Sequence, residues 1–104
     1  MSSEPNLSYI KSLSKGDMVF EKQLLGVAKR ELTEEIDLYT HCIENHKYEQ
    51  AAEVVHKIKH KVSLLGMETS YSLVAQFEEE LRVGKTRLKL DFMAILKKMT
   101  NFLN

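Results

Sequence analysis

Tyr48-Glu49-Gln50-Ala51-Ala52-Glu53-Val54-Val55-His56-Lys57-Ile58-Lys59-His60-Lys61-Val62-Ser63-Leu64-Leu65-Gly66 is the stretch from which the fold can be read. Tyr48, Ala51, Val55, Ile58, Val62 and Leu65 recur at gaps of three and four, the spacing of one buried helix face. His56 follows Val55 and, at about 100° per residue, points roughly 140° away from the centre of that stripe. His60, Ser63 and Leu64 project on the same outer side. Lys59 sits on the flank, within side-chain reach of His56. Gly66 suits the left-handed turn that ends a helix. The pattern therefore puts a histidine on the solvent side of a well-anchored helix, with a lysine beside it.

The rest of the chain reads the same way. Pro5 is its one proline, so none interrupts the remainder. No segment alternates with period two for long. Asn6 can cap a short first helix running to about residue 14, which Lys15-Gly16 breaks. Asp17 can cap a second helix from 18 to about 45, with Phe20, Leu24 or Leu25, Ala28, Leu32, Ile36, Tyr39 and Ile43 on its buried face. A link at Asn45-His46-Lys47 leads to the helix of the opening stretch. Thr69 or Ser70 can cap a fourth helix facing inward through Leu73, Val74, Phe77 and Leu81, and Gly84 stops it. A fifth runs from about 88 to 102, with Phe92, Ile95, Leu96, Met99 and Phe102 inward. The expected fold is all-α: an antiparallel four-helix bundle with a short additional N-terminal helix. It fills 7–104 as one domain, and 1–6 are expected to be a short mobile lead.

Composition narrows the function. Of 104 residues, 43% are hydrophobic, ordinary for a globular protein with one core. Fifteen basic residues balance fifteen acidic ones, which argues against a dedicated nucleic-acid binder. Cys42 is the only cysteine, so no internal disulfide can form and a reducing compartment is expected. No apolar run is long enough to span a membrane and no secretory signal is evident, so the expected location is the cytoplasm. His56 and His60 have the i, i+4 spacing of two metal ligands on one helix turn. Lys57, Lys59 and Lys61 repel a cation there, so no metal site is expected. No nucleotide-binding glycine loop is present and no paired acid and base can be assigned to a cleft, so an enzyme with its own active site is not expected.

The run from His56 to Gly66 resembles the signature of the histidine-containing phosphotransfer (HPt) domain family. That signature reads His, any residue, Leu or Ile, Lys, Gly, then small residues, with Leu and Gly closing it. His56, Ile58, Lys59, Ser63, Leu65 and Gly66 fall on matching positions. The family often places an apolar residue and then Glu about a dozen residues beyond the last glycine, where Phe77-Glu78 stands. A Gly-Asp pair before a long helix is also typical, and Gly16-Asp17 matches it. The resemblance covers about 7 to 103. One departure stands out: His60 occupies the place of the family glycine, followed by Lys61 and Val62 where small residues are usual. Glycine there leaves room beside the histidine, and an imidazole narrows it.

The resemblance implies a phosphorelay intermediate in two-component signalling. His56 would accept a phosphoryl group from a receiver-domain aspartate and pass it to another. The partners implied are response-regulator receiver domains and a hybrid histidine kinase. The chain would need no cofactor of its own, since the receiver brings the magnesium ion. Phosphoryl transfer needs in-line positioning and neutralised charge on the equatorial oxygens, a role for Lys59. Lys57 and Lys61 would add positive field for an acidic receiver pocket. Ser63 could bond the imidazole or the phosphoryl group, Glu78 could orient the site, and His60 is a further neighbour. Leu64 is a candidate receiver contact unless the first helix covers it. A monomer suffices for one exposed site. The competing expectation is a non-phosphorylated HPt-like interaction module, which would be expected to lose His56.

Overall fold

The structure, a computed structural model, describes residues 4–104. Met1, Ser2 and Ser3 lie outside the described residues, so the lead expected over 1–6 is placed only at 4–6. Five helices follow in order: α1 (Ser8–Ser14), α2 (Met18–Glu44), α3 (Tyr48–Leu64), α4 (Glu68–Arg82) and α5 (Lys89–Leu103). No strand occurs among the described residues, and the all-helical class read from the periodicity holds.

Each boundary has a local cause. Asn6 Oδ1 accepts from Ser8 N at 3.0 Å just ahead of α1. Lys15 and Gly16 take positive φ and end α1. Asp17 Oδ1 then accepts from Val19 N and Phe20 N at 3.0 and 3.1 Å, satisfying donors that an open helix start leaves orphaned. His46, also at positive φ, turns the chain between α2 and α3. Gly66 at φ 72° turns it between α3 and α4.

The start of α4 differs from the sequence expectation. It begins at Glu68, not after a Thr69 or Ser70 cap, and no side chain caps it. Met67 is fully buried and its carbonyl accepts from Tyr71 N, so burial of an apolar residue places this start. Ser70 is buried inside the helix.

α3 lies against both α2 and α4, α5 touches α2 and α4, and α1 rests on α2. Ala51, Val55, Ile58, Val62 and Leu65 of the opening stripe are all fully buried, while Tyr48 is half-buried. Tyr39, Phe77 and Phe92 meet edge-on or tilted between α2, α4 and α5, with centroids 5.0–6.2 Å apart. Two expected inward residues are exposed: Phe20 at 43% and Phe102 at 39%. Both sit near helix ends, Phe20 at the start of α2 and Phe102 at the end of α5. Cys42, absent from the expected face of α2, is buried in the core instead. No described helix is long and apolar enough to cross a membrane.

Candidate functional site

The α3–α4 seam carries the site. The apolar stripe of α3 fixes its rotation, and His56 consequently emerges at the edge facing α4 with 47% of its side chain exposed. Its Nδ1 lies 3.1 and 3.3 Å from the two carboxylate oxygens of Glu78. Glu78 itself is buried, one residue beyond the core residue Phe77 on α4. Lys59 Nζ reaches the same carboxylate at 2.9 Å, with only 15% of its side chain exposed, and lies 5.8 Å from the centroid of the Tyr71 ring. Arg82, one turn after Glu78, donates to it at 3.1 Å and to Glu53 of α3 at 3.2 Å.

Glu78 is thus the hub of the cluster. Burial pushes its carboxyl group up, but hydrogen bonds from Lys59 and Arg82, the charge of Lys59 and the His56 contact outweigh that and hold it below its ordinary value. An ionised carboxylate only accepts hydrogen bonds. The proton facing it must therefore be on His56 Nδ1, and in the neutral ring this assigns the lone pair to Nε2. Nε2 makes no hydrogen bond among the described residues.

Comparison with protein-family models, with curated proteins and with solved structures finds no match to this chain.

The other residues singled out in the sequence fall in different places. His60 is exposed and packs edge-to-face on His56, with ring centroids 4.9 Å apart. Lys57 is exposed on the same helix. Lys61 turns instead onto α2, where Glu35 and Glu31 hold its ammonium at 3.0 and 3.1 Å. The ammonium expected to add to a positive field beside His56 is thus paired with two carboxylates of α2. Ser63 is exposed beside a hollow shared with Tyr9, Glu68 and Tyr71, and makes no side-chain hydrogen bond among the described residues. Leu64 is half-buried and packed against the core. Among the described residues, no group of three or more His, Cys, Asp or Glu is arranged to hold a metal ion.

Arg82 and Glu53 were not singled out from the sequence. Arg82 had a signal, since it follows Glu78 at the i+4 spacing of a helical ion pair. Glu53 had none across helices; its partner is set by the packing of α3 on α4.

Proposed function

We propose that this chain is a phosphorelay intermediate of HPt type, carrying the phosphoryl group on His56. The observation that supports this most is the imidazole itself: it is half-exposed, held through Nδ1 by an ionised buried carboxylate, with Nε2 left as its nucleophilic edge. In the transfer, the Nε2 lone pair attacks phosphorus, the bond from phosphorus to the receiver's aspartyl oxygen breaks, and the carboxylate leaves with the electron pair. No proton has to move. The ring keeps its Nδ1 proton and becomes cationic, and Glu78 stabilises that charge in a setting partly shielded from water. The magnesium ion that neutralises the equatorial oxygens belongs to the receiver.

The helix order fits an antiparallel four-helix bundle of α2–α5 with α1 as a short addition. The links at 45–47, 65–67 and 83–88 are short, which favours antiparallel neighbours. On this reading the protein works in the cytoplasm as a monomer, with receiver domains and a hybrid histidine kinase as partners. It has no kinase site of its own. Lys59 acts next to the phosphoryl oxygens while bridging to Glu78, and Lys57 remains available to an acidic partner.

The test is incubation with phosphorylated receiver domains from the same organism. Acid-labile label should appear on the native chain and be absent from His56→Gln, whose fold should persist because the side chain lies off the buried stripe. Label retained in His56→Gln would move the acceptor elsewhere. Receiver binding without any label would favour the non-phosphorylated interaction module.

A further inference from the structure

His60 stands apart from the ion-pair cluster yet touches the acceptor ring. Its centroid lies 4.9 Å from that of His56, with the planes inclined at 62°. It is exposed, and its ring nitrogens make no hydrogen bond among the described residues. It borders an open groove between α2 and α3. Glu31, Glu34 and Glu35 face that groove from α2, and Lys57 and Lys61 from α3. Lys61 is paired with Glu31 and Glu35, so the nearby charges largely offset one another. Glu78 of α4 bonds Nδ1 of His56 and makes no hydrogen bond to His60 among the described residues.

A phosphoryl group on His56 Nε2 changes this balance. It would place up to two negative charges one bond beyond a ring in van der Waals contact with His60, well inside the Debye length of about 8 Å. We propose that His60 is a positioning residue that takes a proton from solvent when His56 is phosphorylated and pairs with the phosphoryl group, making phosphorylation more favourable as pH falls. This rests on the phosphorelay reading of His56. The sign follows from linkage. A group that binds its proton more tightly in the phosphorylated state favours that state below its titration, and the advantage is lost as pH rises through the raised midpoint. Each pH unit by which that midpoint rises bounds the gain at tenfold.

The decisive measurement is an NMR titration of the histidine ring resonances of the whole chain, before and after phosphorylation by phosphoramidate. The His60 resonances should titrate at higher pH once His56 carries the phosphoryl group. The equilibrium of transfer from a phosphorylated receiver should favour this protein severalfold more at about pH 6 than at about pH 8, beyond the dependence shown by His60→Phe. His60→Phe keeps an aromatic ring and loses the proton, whereas His60→Lys should hold the favourable equilibrium across the range. An unmoved midpoint on a labelled His56, or a His60→Phe profile identical to the native one, overturns the role of His60 alone. If neither phosphoramidate nor receivers label His56, the phosphorelay reading falls and this proposal with it.

Discussion

Lys59 shows how a residue can be placed by its helix and yet have its role decided by another. Three positions after His56, it was expected within side-chain reach of the acceptor, supplying charge to the phosphoryl oxygens. Both side chains reach the same Glu78 carboxylate, Lys59 at 2.9 Å and His56 at 3.1 Å. Removing the lysine therefore does two things. It takes positive charge from the proposed phosphoryl site, and it strips a largely buried carboxylate of one partner. Lys59→Ala is expected to lower stability by about 1–2 kcal/mol, a fall of several degrees in Tm for a domain of this size, and to slow phosphotransfer roughly tenfold. A lower Tm with an unchanged transfer rate would make Lys59 a structural partner of Glu78 and nothing more. At this scale the sequence made His56, Lys59 and Glu78 legible as candidates, through helical spacing and a family resemblance. It could not show that Glu78 joins them, because that meeting is made by the packing of two helices. The same limit applies to Lys61. Spacing puts it near His56 in number, but two carboxylates on α2 decide where its charge goes.

At the level of helices, periodicity was a good guide to interiors and a poorer one to ends. The middle of α3 follows its stripe without exception, since every turn there has a neighbour to bury against. The start of α4 departs because the burial of Met67 outranks a polar cap. Gly66 ties these observations together. Its φ of 72° is a left-handed conformation, and a Cβ there would come within 2.6 Å of Asn6 Oδ1. Asn6 packs over this glycine, donating from its backbone N to Leu65 O at 2.8 Å and from Nδ2 to Gly66 O at 3.4 Å. The glycine that ends the phosphotransfer-like signature is thus also the seat of the segment entering α1. Gly66→Ala should cost about 1–3 kcal/mol, through left-handed strain and a displaced Asn6. Thermal unfolding measures the total, and amide exchange at Asn6 should accelerate. A stability change within about 0.5 kcal/mol would mean that the turn relaxes without strain.

Across the whole molecule, shape and charge both follow from where helices can find partners. The longest dimension, 43 Å, is close to the length of the 27-residue α2 at about 1.5 Å per residue. The 17-residue α3 is shorter than α2, and Met18, Val19 and Phe20 at the start of α2 are exposed. Where α3 and α4 do run together, they are joined by apolar contact and by the Glu78 cluster. Because the folded state holds Glu78 below its ordinary carboxyl value, the pairing stabilises the fold fully above the unfolded titration near about pH 4.3, and the benefit is lost as pH falls through the lower folded value. Glu78→Gln keeps nearly the same volume and removes the charge. It is expected to lower stability by roughly 2 kcal/mol at neutral pH, and the difference from the native chain should shrink as both are taken to about pH 3 and below. Paired melts at neutral and acid pH measure that convergence. A gap of constant size would mean that shape and hydrogen bonding at Glu78, rather than its ionisation, join α3 to α4. The charge-based assignment of the His56 proton to Nδ1 would then lose its support.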